Sequence, residues 1–297
     1  MPRNRKSGFA PVRVGGFSIE SVSIRCFDFR CSLDGVIYLE RKPSPALAGC
    51  VEMLWYASAP HVPHQRELVL PGGKIQFVIS LAADHLTTCN PEGDVSVAPA
   101  LLVGARTSAE LVATCDMKRL VGVIFRPGGL GPWLRERADL FYEQSLSLSD
   151  LWPMEAVRER LRELATTPEM TLQILDETLC EQASARDRRS HVRQALSLLR
   201  TLNVRETARE LGISERRLHH VFSEDVGLSP KQWSRVRRFQ RVVRALHQGA
   251  EMRWAELAVA CGYADQPHFS RDFHSFSGID PTTYIASRGR WQNHVAM

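Results

Sequence analysis

The sequence writes GLSPKQW at 227–233 and GIDPTTY at 278–284. Glycine, an aliphatic residue, a polar residue, proline, two polar residues and an aromatic recur 51 residues apart. The phrase closes a longer repeat. NVRETARELGI (203–213) aligns with RWAELAVACGY (253–263), pairing Thr207 with Leu257, Ala208 with Ala258 and Gly212 with Gly262. One inserted residue then brings Leu218 opposite Phe269, Phe222 opposite Phe273, Pro230 opposite Pro281 and Trp233 opposite Tyr284. A solenoid needs at least about three stacked units, so a unit present twice is a duplicated supersecondary element.

Each copy has the pattern of an amphipathic helix, a glycine-containing turn and a second helix. Asn203 and Glu206 have the spacing of a capping box, and Ser214 suits the N-cap of the next helix. Gly212 and Gly262 end the first helix of each unit where positive φ is convenient. The second helix buries Leu218, Val221 and Phe222 in one copy, and Phe269, Phe273 and Phe276 in the other. Its opposite face carries Arg216, Arg217, His219, His220 and Ser223, then Gln266, His268, Arg271 and Ser275. Hydrogen-bonding side chains with almost no acid among them suit the major groove of DNA, where Arg reads guanine and Gln or His meets base edges. The bland alternative is an ordinary helical hairpin. Two copies in register argue against it.

Between the copies lies KQWSRVRRFQRVVRALHQG (231–249). Val236, Phe239, Val243 and Leu246 form an apolar stripe, and Arg235, Arg237, Arg238, Arg241 and Arg244 crowd the rest. A helix of about 16 residues spans roughly 24 Å. Adding the width of each unit approaches the ~34 Å between successive major grooves on one face of DNA. Arg217, Arg235, Arg237, Arg238 and Arg241 are the expected phosphate contacts, which supply affinity without sequence choice.

Charge is divided the same way. The chain of 297 residues carries a net +5, but the part from 184 onward holds 19 Lys+Arg against 11 Asp+Glu, leaving 19 against 22 before it. A basic C-terminal third behind a slightly acidic front fits a domain that meets a polyanion.

Residues 1–35 are a flexible extension. Short runs rich in Val, Ile and Leu follow: CVEMLWYA, RELVLPGG, KIQFVISL, SVAPALLVG, AELVATC and RLVGVIF. Their spacing predicts a sandwich or small barrel. After about 126 the pattern turns helical. SDLWPMEAVRERLRELA has apolar residues at 151, 154, 157, 161 and 164, and TPEMTLQILDETLCEQA follows with Pro168 near its start. The expected division is a sensor or dimerisation domain over 36–183, a linker at 184–189, a DNA-binding domain over 190–290 and a tail at 291–297. The fold class is α+β in two domains, a β-rich one with trailing helices and an all-α one of two helix-turn-helix units joined by a long helix.

The second copy, LAVACGYADQPHFSRDFHSFSGIDPTTY, resembles the DNA-binding domain of the AraC/XylS family of bacterial transcription regulators, whose members have LA..CGF.....FSR.F....G..P..Y. The resemblance covers about 190–290. It implies that the positions facing bases fall on Arg216, His219 and His220, and on Gln266, His268 and Arg271. Pro267 departs from the family at a site often polar, which removes one contact but suits a helix's first turn. The segments ERKPSPALAGCVEMLWY, VLPGGKIQFVIS and VIFRPGG resemble an uncharacterised sensor-type domain found in front of this DNA-binding domain. Family members often carry a cupin-like β-barrel there.

Other chemistry is thinner. HVPH (His61, His64) has no third metal ligand nearby. PGG at 71–73 and 127–129 is explained by tight turns, although backbone N–H groups there would also cradle an anion. No nucleotide loop, GxSxG, HExxH or useful GxGxxG occurs. Trp55, Tyr56 and Arg126 are the candidate effector pocket, with core packing of the aromatics as the alternative. Seven dispersed cysteines without a CxxC pair argue against a disulfide framework and for a reduced cytoplasm. Cys26 and Cys31 have no basic neighbourhood to make a thiolate. No apolar run approaches a membrane span, and no secretory signal is read. These readings predict a cytoplasmic, non-enzymatic, sequence-specific DNA-binding regulator without cofactor or metal. Its candidate partners are duplex DNA, a small-molecule effector, RNA polymerase and a second copy of the chain. The rival functions are a non-specific architectural DNA binder and a small-molecule enzyme with a DNA-binding appendage.

Overall fold

The computed structural model describes residues 29–297 except 34, 60, 61, 63, 185–189, 250–252 and 290. The front half is built on strands β1 (Phe29–Leu33), β2 (Val36–Arg41), β3 (Val51–Ser58), β4 (Arg66–Val69), β5 (Gln76–Ser80), β6 (Leu86–Cys89), β7 (Val95–Ala98), β8 (Ala100–Val103), β9 (Glu110–Ala113), β10 (Arg119–Phe125) and β11 (Ser145–Ser147). Each of the six strand-like runs in the sequence supplies one or two of them. Two trailing helices follow, α1 (Met154–Leu164) and α2 (Pro168–Gln182). In α1 the stripe residues Met154, Val157 and Leu161 are buried, but Leu164 points outward. Thr167 caps α2 by accepting from Met170 N, and Pro168 sits in the first turn, where its missing N–H costs nothing.

The C-terminal half is helical: α3 (Ser190–Leu198), α4 (Val204–Glu210), α5 (Glu215–Val226), α6 (Pro230–His247), α7 (Trp254–Ala260), α8 (Gln266–Ser277) and α9 (Pro281–Ser287). The repeated phrase has a mechanical meaning here. Its glycine, Gly227 or Gly278, takes φ 82 or 72 and ends α5 or α8. Its polar third residue, Ser229 or Asp280, accepts from the backbone to cap the next helix. Its proline occupies the first turn of that helix. Its aromatic, Trp233 or Tyr284, is buried. The phrase stops one helix and starts another at a fixed angle. The expected capping box at Asn203 and Glu206 is present in full, and Ser214 Oγ accepts from Arg217 N.

A last strand, β12 (His294–Ala296), returns to the front half. The strands make two antiparallel sheets, ordered β1-β2-β3-β10-β5-β8-β11 and β12-β4-β9-β6-β7. Two sequence expectations change. Residues 29–33, read as part of a flexible extension, pair with β2 from Phe29↔Glu40 to Leu33↔Val36. Gly35, just before β2, takes φ 79, and β1 holds no two apolar residues in succession to mark it in the sequence. Residues 1–28 lie outside those described. The segment 291–297, read as a tail, pairs through His294↔Val69, Val295↔Leu68 and Ala296↔Glu67. Strand β4 leaves an edge that this segment covers, and Val295 becomes fully buried. Most of the expected linker at 184–189 is outside the described residues.

One hydrophobic core runs through both halves. In front, Phe77 packs on Phe125 and Trp152 at 4.7 and 5.6 Å between ring centroids. Behind, Phe239 of α6 packs on Phe273 and Phe276 of α8 at 5.2 and 5.1 Å. Replacing Phe239 with Ala removes the ring that both contacts share. It is expected to cost about 3–5 kcal/mol in denaturant unfolding.

The β12 junction also carries a pH dependence. Burial raises the Glu67 carboxyl, but the hydrogen bonds and charges of His294 and His64, at 2.7 and 2.8 Å, outweigh it and hold the group below its ordinary value. A depressed folded-state value means that this stabilisation is present at neutral pH and lost as pH falls through the acid range. Between about pH 6 and pH 3, Glu67→Gln should lose less stability than the parent chain, measured from unfolding midpoints.

Candidate nucleic-acid interface

Helices α4 and α5 form the first unit, α7 and α8 the second, and α6 joins them. Within each unit Ala208 or Ala258 is buried at the crossing, and the lack of a long side chain lets the helices approach. Arg216, His219 and His220 are exposed on the N-terminal half of α5. Gln266 and Arg271 are exposed at corresponding places on α8. Among the described residues the side chains of Arg216, Gln266 and Arg271 have no hydrogen-bond or ion-pair partner. His268 is less free: it is half-buried, with its ring edge-on to Tyr263 at 5.2 Å, while its backbone N–H donates to the Asp265 cap at 2.7 Å. Pro267 lies in the first turn of α8.

The first unit has a neighbour that the second lacks. The short 3-10 turn Ala138–Phe141 of the front half packs on α5. Arg137, beside it, forks onto Asp139 at 3.0 and 2.5 Å and reaches Glu224 of α5 at 3.4 Å. His220 pairs with the same Glu224 at 3.4 Å. His219 and His220 therefore open onto a cleft of about 580 Å³ faced by Arg137, Asp139 and Tyr142. Arg217 lines a second cleft, of about 240 Å³, with Glu136 and Asp225.

The arginines of α6 separate into two groups. Arg235 donates to Asp272 at 2.6 Å and lies over Phe276, and Arg238 is 3.8 Å from the same carboxylate and lies over Tyr263. Both tie α6 to α8. Asp272 is buried, so the pair is an internal joint rather than an open cation. Arg237 and Arg241 face elsewhere. Arg237 stacks on Trp233 at 4.7 Å, and burial first, then the nearby charges of Arg241 and Arg200, hold its guanidinium down to about 10. Three cations without an acid between them would be relieved by an anion. Arg241 reaches the turn of the second unit beside Gly262. The periodicity of 231–249 made all these arginines look alike. Asp272, 37 residues from Arg235, is what distinguishes them.

The three residues grouped as an effector pocket are not brought together. Trp55 and Tyr56 are successive in β3, so they point to opposite faces of the sheet. Tyr56 is in the main core, Trp55 packs in the second cluster against Gly122, and exposed Arg126 donates from Nε to the Ala48 carbonyl at 2.8 Å. His64 bonds Glu67, and His61 lies outside the described residues. Among the described residues no cluster suits a metal ion, and no helix is long and apolar enough to cross a membrane.

Residues 207–287 match the family model of a helix-turn-helix domain, and residues 39–147 match that of a domain of unknown function, DUF6597. No curated protein sequence is significantly similar to the chain. Among solved structures, a transcriptional regulator from Chromobacterium violaceum, described among AraC-type DNA-binding domain-containing proteins, is 26% identical over 34% of this chain and 93% of its own, with a TM-score of 0.31. The C-terminal domain of AraT, a response regulator from Geobacillus stearothermophilus, is 24% identical over 33% and 86%, with a TM-score of 0.32. ToxT from Vibrio cholerae is 14% identical over 75% and 95%, with a TM-score of 0.43. The repeated motif and the matched family model together show a helix-turn-helix domain with its unit present twice, behind a domain of unknown function.

Proposed function

We propose that the chain is a sequence-specific regulator whose helices α5 and α8 read two adjacent major-groove segments of one duplex. The observation that carries this reading is the pair of like units on one connecting helix. Each unit presents exposed, unpartnered polar side chains at the N-terminal half of its second helix: Arg216 on α5, Gln266 and Arg271 on α8. In this reading His219, His220 and His268 complete the base-facing sets, with Arg217, Arg237 and Arg241 on phosphates. Arg235 and Arg238 act by holding α8 in place. Residues 36–183 form a sensor or dimerisation domain, residues 190–290 the DNA-binding domain, and an effector or self-association in front alters how the reading helices are presented. RNA polymerase is the partner through which such a protein acts on transcription in the cytoplasm.

The first test is selection of bound duplexes from a random pool with the full chain near physiological salt. A motif of two conserved blocks about one helical turn apart is expected. Binding without a motif, lost steeply with salt, identifies an architectural protein and ends this reading.

Single substitutions sharpen the test. Arg216→Ala or Arg271→Ala should cost on the order of 1–3 kcal/mol on the selected site and relax preference at one position, read by competition binding. Arg237→Ala should weaken binding to all sequences and lower the slope of log K against log salt by about 1. Arg235→Ala should instead lower the unfolding midpoint, because it leaves Asp272 buried without its closest partner.

A further inference from the structure

The helix that joins the two reading units does not stand free. Gln232, Val236 and Gln240, at i, i+4 and i+8, form one face of α6, and that face lies along the front half. Gln232 Nε2 donates to the Tyr142 hydroxyl at 3.0 Å. Gly73, at φ 65, comes so close to Val236 that a Cβ there would lie 2.9 Å from Val236 Cγ1. Gln240 Nε2 donates to the Pro71 carbonyl at 2.8 Å and to Asn293 Oδ1 at 3.1 Å. The three points span eight residues, about 12 Å of helix. The turn at 71–73, which looked like no more than a tight corner, is where the front half meets the connecting helix.

Both ends of α6 are held as well. At the first unit, a Cβ on Gly227 would lie 3.0 Å from the Ala138 carbonyl oxygen and 3.3 Å from Ala105 Cβ. The matching glycine of the second unit, Gly278, has open space around it. The second unit is reached by a different route. Tyr284 of α9 donates to the Gln292 carbonyl at 2.8 Å, the Asn293 carbonyl accepts from Leu70 N at 2.8 Å, and β12 joins the sheet beside β4. His294 then bonds Glu67 at 2.7 Å, and Trp291 packs on Tyr38 at 4.4 Å between ring centroids.

We propose that the front half is a brace that fixes the distance and angle between the two reading helices, with Gln232, Gln240 and the β12 strand as its positioning elements. The proposal rests on the two-groove reading above. The reading faces at Gln266 and Arg271 take no part in these contacts, so the brace sets where the second unit sits without covering it. An unbraced pair of units pays orientational entropy when both engage one duplex, and a braced pair has paid it on folding. A brace also rejects wrong spacings, because each base pair inserted between the blocks moves the second groove by about 3.4 Å and turns it by about 35°.

The test uses the full chain and the selected two-block duplex, alongside versions with one base pair added or removed between the blocks. The variants are the double substitution Gln232→Ala/Gln240→Ala and, separately, a chain ending at residue 290. The parent is expected to lose affinity about tenfold or more on the altered spacings. The variants should bind the natural spacing a few-fold more weakly, lose no more than about twofold on the altered ones, and bind a duplex with a single block as the parent does. A merely structural role would weaken all three duplexes alike, and that result overturns the brace. Variants with the parent's spacing penalty overturn it too, leaving the two-groove reading intact. A parent that selects no two-block site overturns both.

Discussion

Helices α5 and α8 both pack on α6, and the rest of the C-terminal half is arranged around that joint. Trp233, Val236, Phe239, Val243 and Leu246 are buried along α6. The first helical unit closes on its N-terminal end through Phe222 and Trp233, at 5.9 Å between ring centroids. The second closes on its middle through Phe239, Phe273 and Phe276. Because the two contacts are separated along a single helix, aromatic packing and helix rise set a first spacing of α5 and α8, to which the contacts of the front half with α6 and β12 are added.

The joints at the ends of the helices are local and cheap. A left-handed glycine, a capping side chain and a proline in the first turn satisfy the backbone groups that a helix end leaves open. Used twice, the same device gives two units of the same shape. Their surroundings then differ. Gly227 is pressed against Ala138 and Ala105, whereas Gly278 faces open space. Duplication made the units alike, and contact with the front half made them unequal.

That inequality extends to charge. His220 and Arg137 of the front half each lie 3.4 Å from Glu224, so α5 and the front half share one carboxylate. The acids Glu136 and Asp139 lie beside the exposed polar face of α5, Asp139 in the cleft with His219 and His220 and Glu136 in the one with Arg217. The front half touches α5 directly and is joined to α8 by way of α6 and of β12 and α9.

The periods of the sequence were enough to expose the duplicated units, their caps and the six main strand runs. Apolar spacing and capping chemistry act within a few residues and leave their mark in order along the chain. The strands β1, β6, β11 and β12 left none, since none of them holds more than two apolar residues in succession, and β2 also stood outside the six runs. Nor did the sequence separate Arg235 and Arg238, which hold Asp272, from Arg237 and Arg241, which do not. It likewise put Trp55 and Tyr56 in one pocket when the pleat turns them apart. What the sequence alone determined is what each segment becomes and which residue types its open face offers. Only the tertiary structure decided which of those side chains are spent on internal partners, and that the end of the chain and the turn at 71–73 converge on α6, because contacts between residues 169 apart are set by packing and not by any local rule.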